Sequence, residues 1–449
     1  MSNMISTPIC DFVTRYAASN PARFHMPGHK GAGPLGCEAL DITEIDGADE
    51  LYDPRGVIAE SEANASRLFG AHTLYSAEGS SLAIRAMLWA ALSGSGDPRD
   101  AVVLAGRNAH RAFLSAAALI GFDVAWLHPK PGDAYHGCTV TASDVEAALE
   151  RLGERCRAVY LTSPDYLGHM QDIAAVAAAC RRYGAKLLVD DAHGAYLKFL
   201  PNGSRHPVDL GADLCCDSAH KTLPALTGAA YLHIHPGCGV DPRRAREAMA
   251  LFGSSSPSWL ALQSLDACNP YLEGLPASLA GFLPKVDALK AALTERGWRL
   301  AGDEPMKLTL APRVFGWTGD ALAERLSRSG VVCEFHDPDF ITLMPSPMNT
   351  DADLRRLEDA LLAVPRREPL PDAAPEYRAP EAVLSPREAA FAPRETLPLE
   401  MCEGRVLAAS ALSCPPCVPV AVCGERIDAV VIKRLRYYGF GKCEVVSVD

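Results

Sequence analysis

The sequence predicts an α/β protein built on a doubly wound, mostly parallel sheet. Three observations carry that expectation. From about residue 60 to 235, segments of helical period alternate with short β-rich runs. Those runs are continuously apolar, as strands covered on both faces must be. Helix boundary residues separate them. Such alternation implies a parallel sheet with helices on its faces, and ligands of such sheets sit beyond the C-terminal strand ends. The residues that immediately follow each strand are therefore the candidates for chemistry.

In chain order, AVVLAG (101–106), RAVYLTSP (157–164), KLLVDD (186–191) and AAYLHIH (229–235) are strand-like. SSLAIRAMLWAALSG and QDIAAVAAACRRYGA between them are helix-like, the second bounded by Asp172 near its start and Gly184 just past its end. A second α/β segment covers about 285–365, with MKLTLAP, ALAERLSRSG, VVCEFH, FITLMP and DADLRRLEDALLAV. Prolines at 365, 369, 371, 375, 380, 386, 393 and 398 then rule out one long helix. The expected division is an N-terminal arm (1–40), a large domain (41–284), a small α/β domain (285–365), a Pro-rich connector (366–399) and a C-terminal module (400–449).

Bulk composition excludes some functions. The 449 residues carry a formal charge of −12, which offers no basic surplus for a nucleic acid. No run approaches the roughly 20 apolar residues of a membrane span. The N-terminus lacks a basic-then-apolar leader, so the cytoplasm is the expected compartment. The fifteen cysteines are scattered and odd in number, which suits buried thiols better than a disulfide framework.

The strongest chemical signal is DSAHKTLPALTGAAYLH (217–233). Lys221 follows Ser218 and His220 in a polar turn ahead of a strand, where a partly desolvated amine can form an imine. Thirty-one residues earlier, Asp190 stands at the end of KLLVDD. A carboxylate there can hold the pyridinium nitrogen of pyridoxal 5'-phosphate (PLP) protonated, the main electronic lever a protein has on this cofactor. The pair points to a PLP enzyme of the aspartate-aminotransferase fold (fold type I), against the plainer alternative of a helix-capping Asp and a surface lysine. Gly79, Ser80 and Ser81 open a helix, where N–H groups and the helix dipole favour an anion such as the cofactor phosphate. A plain N-cap is the alternative. His110, after AVVLAG, can stack on the ring or be an ordinary loop histidine. His193 can orient Asp190 or the cofactor's phenolic oxygen, or simply bond backbone.

These residues belong to a wider pattern. FHMPGHKGAG (24–33), DITEIDGADELYDPRGVIAESEANASRLFGA (41–71), GRNAH (106–110), LTSPDYLG (161–168), VDDAHGAY (189–196), SAHKTLPALTG (218–228) and CPPCVPVAVCGE (414–425) resemble, in order and over essentially the whole chain, the short class of ornithine/lysine/arginine decarboxylases. The resemblance implies that Lys221 forms the Schiff base, Asp190 pairs with the ring nitrogen and His110 stacks on the ring. Ser80, Ser81, Ser218 and His220 would line the phosphate, and Lys221 or His220 would protonate Cα. It also implies a homodimer or higher homo-oligomer with the active site at the interface, where Ser254 or Ser255 reaches phosphate from the partner. The substrate would be a basic amino acid, with Asp49, Glu50, Asp53 or Glu334 as candidates for its distal charge.

The sequence departs from the family pattern at Glu78, where an amide is usual, and at Cys417, where glycine is usual. A PLP aminotransferase or lyase on the same fold, and a non-catalytic paralogue, stay open at this point. Cys414-x-x-Cys417 with Cys423 has zinc-like spacing but lacks a second ligand pair, so no metal is expected. Cys215 and Cys216 are expected in the core, and His25 and His29 in an arm near the active site.

Overall fold

Apolar alternation and local capping build the elements in turn. The computed structural model describes residues 5–94, 96–134, 136–409 and 418–447. Helix α1 (Pro8–Ala18) and α2 (Val57–Phe69) precede strand β1 (His72–Ser76) and α3 (Gly79–Leu92). There follow β2 (Val102–Gly106), α4 (Arg111–Ile120), β3 (Asp123–Leu127), α5 (Ala142–Leu152), β4 (Cys156–Thr162), α6 (Ile173–Tyr183) and β5 (Lys186–Asp190). Next come β6 (Leu214–Asp217), the single turn α7 (Ala219–Thr222), β7 (Ala230–Ile234), α8 (Pro242–Phe252) and α9 (Trp259–Arg296). The remainder holds β8 (Leu300–Ala301), β9 (Leu308–Leu310), α10 (Gly319–Arg328), β10 (Phe335–His336), β11 (Ile341–Leu343) and α11 (Asp351–Leu362). Last are α12 (Pro386–Phe391), β12 (Arg394–Pro398), α13 (Ala429–Tyr437) and β13 (Lys442–Val446).

The boundaries expected for α6 are met: the Asp172 carboxylate accepts from the Ala175 N–H, and Gly184 takes the left-handed conformation at φ 70°. α5, α11 and α12 each start with a reciprocal capping box, Thr141/Asp144, Thr350/Asp353 and Ser385/Glu388.

The chain divides into two compact units, Met1–Ser95 with Lys186–Leu279, and Gly96–Ala185 with Ala280–Asp449. In the first, the strands run β1-β7-β6-β5; in the second, β4-β2-β3, all parallel. β7 is antiparallel to β1 and β6, whereas β5 and β6 are parallel, with Asp190 opposite Cys216. β1, β3 and β6 are strands that hydropathy did not single out. β1 and β6 are only five and four residues long, and HTLYS is too polar to stand out.

The second unit also holds an antiparallel sheet, β10-β11-β9-β8. Leu289, Trp298, Phe315, Ile341 and Leu361 pack beside it in one core. A separate core around Leu407, Ile427, Val431 and Val445 underlies the paired β12 and β13.

The 38-residue α9 was not foreseen, because Pro270, Pro276 and Pro284 lie inside it. It holds together through a buried stripe at helical spacing, including Leu265, Leu272, Leu275, Leu279 and Phe282. Among the described residues no helix is long and apolar enough to cross a membrane, and no disulfide joins the described cysteines.

Candidate active site

In the first unit, parallel pairing brings the ends of β5 and β6 to one edge. β5 ends on Asp190, which is 2% exposed; its Oδ1 accepts from the Ala192 N–H at 3.2 Å. The Cys216 thiol lies 3.9 Å from the same oxygen, and burial pushes that thiol far above its ordinary value, so it stays protonated as a donor. β6 leads through Ser218 into α7, where the Lys221 N–H donates to the Ser218 carbonyl at 3.0 Å. Lys221 Nζ then comes within 3.1 Å of Nε2 of His193, a buried residue in the turn after Asp190. Four expected residues, Asp190, His193, Ser218 and Lys221, therefore meet at one edge of one unit.

The Ser218 hydroxyl donates to Ser80 Oγ at 2.9 Å, joining α7 to the first turn of α3. Ser80 and Ser81 lie where a helix leaves its N–H groups without intrahelical acceptors. Gly79 has a partner of its own. Its N–H donates to the Gly228 carbonyl at 2.7 Å, and so ties α3 to the loop before β7 rather than turning to an anion. Its φ of 71° is the left-handed conformation that keeps glycine there. His220 is likewise committed, with Nδ1 donating to the Ala229 carbonyl at 2.9 Å.

The unusual Glu78 has a local partner: its carboxylate accepts the Ser254 N–H at 2.5 Å. The Ser254 hydroxyl accepts from the Ser256 N–H at 3.1 Å. The serine-rich turn is thus anchored within its own chain by the residue that departs from the family pattern. Ser255 is exposed.

Asp49 is engaged locally. Its carboxylate accepts the N–H groups of Glu50, Arg55, Gly56, Ile58 and Ala59 at 2.8 to 3.3 Å, capping α2. Burial works to raise its carboxyl, but the N–H donors outweigh burial and hold it below the usual carboxylate range. It acts as a cap, with its lone pairs directed at backbone. Asp53 pairs on the surface with Arg55, and Glu50 is exposed. His29 bonds Asp41 at 3.2 Å and His25 bonds Tyr16 at 2.5 Å, consistent with locally satisfied residues.

In the second unit, His110 caps α4, its Nδ1 accepting from the Ala112 N–H at 3.2 Å. The turn before it is fixed by Arg107, whose guanidinium pairs with Glu425 at 2.8 Å; both side chains are under 5% exposed. Sequence reasoning missed this pair because 318 residues separate its members. Glu334 accepts from the Tyr166 hydroxyl at 2.9 Å. Cys215 and Cys216 are fully buried, as expected, and so is Cys423 at 2% exposure. Cys414 and Cys417 lie outside the described residues.

The donor set suits PLP: an amine beside an imidazole, a buried carboxylate at the neighbouring strand end, and two hydroxyls at a helix start. Comparison with known proteins points the same way. The family model for the Orn/Lys/Arg decarboxylase major domain matches residues 7–279. An arginine decarboxylase of Halalkalibacterium halodurans is 29% identical, over 97% of this chain and 94% of that one. The uncharacterized protein YaaO of Bacillus subtilis is 28% identical, over 96% and 94%. The structure of lysine decarboxylase A from Pseudomonas aeruginosa superposes with a TM-score of 0.81 at 18% identity, covering 98% of this chain and 80% of that one. The fold is that of the lysine decarboxylases and, more widely, of fold type I PLP enzymes. With more than half its length matched by the family model, the chain belongs to the Orn/Lys/Arg decarboxylase family.

Proposed function

We propose that the chain decarboxylates a basic amino acid (arginine, lysine or ornithine) to the corresponding amine and CO₂, using PLP held at Lys221. The observation that carries this reading is the convergence of Lys221, His193 and Asp190 on one edge of the sheet. Bound there, PLP supplies a ring that accepts the electron pair left on Cα as CO₂ departs.

The chain's own groups have distinct tasks. Asp190, with its position fixed by Ala192 and Cys216, would keep the ring nitrogen protonated. The hydroxyls of Ser80 and Ser218 and the first-turn N–H groups of α3 would hold the phosphate. His193 Nε2 can take a proton from Lys221 Nζ or return one across 3.1 Å, which sets when the amine is nucleophilic and when it is an acid toward Cα. His220 would support the phosphate side from a position fixed by Ala229. His110 keeps the role of ring-stacking group that the family pattern assigns it. With Asp49 committed to backbone, Glu50, Asp53 and Glu334 remain as acids for the substrate's distal charge. Assembly into at least a homodimer belongs to the same reading, and Phe24, Met26 and Leu35 of the arm, 96%, 65% and 82% exposed, offer apolar surface for a second copy.

The test is CO₂ release from PLP-loaded protein offered arginine, lysine and ornithine in parallel, with Lys221→Ala as control. Release from one substrate, lost in the variant, establishes the activity and names the substrate. A PLP absorbance band with no release from any of them moves the reading to an aminotransferase or lyase.

A further inference from the structure

Behind the candidate site, in the first unit, runs a line of polar side chains that no step above uses. Asp191, His206, Asp217 and His233 are all fully buried. His206 Nε2 lies 3.4 Å from the Asp191 carboxylate and 3.2 Å from that of Asp217. His233 Nε2 lies 3.0 Å from Asp217, and its Nδ1 lies 2.9 Å from the Thr73 hydroxyl. The line starts just past β5 and at the end of β6 and runs into β7 and β1, where His233 stands opposite both Cys215 and Thr73.

Its position decides what it can do. Asp191 directly follows Asp190, and Asp217 directly precedes Ser218 and the α7 turn that carries Lys221. Beyond the last ladder pair of β5 and β6, one backbone bond joins the two strand ends here, from the Asp191 N–H to the Cys216 carbonyl at 3.0 Å. Side chains facing both ends must therefore help to set the spacing. One imidazole nitrogen faces both buried carboxylates, hydrogen-bonded to Asp217 and 3.4 Å from Asp191. The deletion of such a clamp would let the Asp190 carboxylate and the Lys221 amine drift apart, and small drifts in catalytic geometry are costly.

We infer that His206 is a positioning residue that bridges Asp191 and Asp217 and so fixes the distance between Asp190 and the Lys221 turn. This inference rests on the PLP reading above. His206, Asp217 and His233 also place three donor atoms within 4.8 Å of one another, the arrangement of a metal site. The clamp needs no ion, because each imidazole already lies within ion-pair distance of a carboxylate.

The experiment compares wild type, His206→Ala, His206→Gln and Thr73→Val by PLP titration followed in absorbance, thermal unfolding of the cofactor-free protein, and metal analysis. Gln places an amide N–H near the position of imidazole Nε2. Thr73→Val cuts the line at its far end and leaves the bridge intact. His206→Ala should raise the PLP dissociation constant by roughly 10- to 100-fold, the loss expected for hydrogen bonds to charged groups, and His206→Gln should recover most of it. Thr73→Val should lower the melting temperature and leave PLP affinity unchanged. Unchanged affinity in His206→Ala overturns the inference, as does equal loss in Thr73→Val at matched stability. One equivalent of a transition metal in purified wild type also overturns it, in favour of a metal site. Wild type that binds no PLP at all refutes the parent reading instead.

Discussion

Glu425→Ala, which removes the carboxylate altogether, tests how the C-terminal segment supports the turn that carries His110. Arg107 and Glu425 are 3% and 4% exposed and 2.8 Å apart. At an effective dielectric constant of about 20 their attraction is about 6 kcal/mol. Desolvation costs several kcal/mol per ion, so the pair as a whole nearly cancels. Burial accordingly pushes the Glu425 carboxyl above its ordinary value, with Arg107 opposing. Breaking the pair is different, because Arg107 then keeps its charge without a counterion, at a cost of about 3–5 kcal/mol. The guanidinium retains the Pro419 carbonyl at 3.4 Å and the Trp126 face at 5.2 Å, which favours the lower end. For a cooperative block of about 250 residues this is a fall in melting temperature of roughly 6–20 °C. Arg107→Met with Glu425→Leu should recover at least ~2 kcal/mol relative to the sum of the single changes, read as the coupling in a double-mutant cycle. The pH dependence has a definite sign. A carboxyl raised in the folded state binds its proton more tightly there, so stability falls as pH rises from about 4.3 through the raised value and is flat above it. Glu425→Gln, which mimics the protonated carboxyl and still offers Arg107 an oxygen, should remove that slope at a smaller cost in stability than Glu425→Ala. A Glu425→Ala variant as stable as wild type, or additive single changes, would refute the argument.

Three further outcomes follow from the site. Asp49→Ala should cost about 2 kcal/mol of stability by removing the acceptor of five N–H groups, while leaving the substrate KM within about twofold. Because the Asp49 carboxyl is held low, its contribution is complete above about pH 4 and is lost as pH falls through the lowered folded value; acid unfolding of wild type and variant checks this. Glu78→Asn is too short to keep the Ser254 bond, so amide exchange at Ser254 should accelerate by roughly tenfold, measured by mass spectrometry. Asp190→Asn should lower kcat for CO₂ release by about 10²- to 10³-fold with little change in KM, since it removes an electrostatic stabiliser of the reacting state.

Much of this protein is legible in its linear order. The α/β alternation, the caps of α6, and Asp190 and Lys221 at successive strand ends depend on local signals: hydropathy period, capping chemistry, and a motif inside a few turns of chain. The family follows from the same motifs. What they do not contain is which side chains meet. Gly79 and Asp49 carry residue types that suit an anion site and a substrate acid, yet Gly228 and the start of α2 claim them. α9 contradicts the local rule, because three prolines lie in a helix held together by its buried stripe. His206 shows no signal in its own neighbourhood, and Glu425, although it closes the CPPCVPVAVCGE segment, shows none that names its partner. Their partners are Asp191 and Asp217 in one case and Arg107 in the other, and the cost of burying a charge is decided by whatever group the fold brings within about 3 Å. That pairing is a property of sheet order and loop path, which local sequence pattern does not encode.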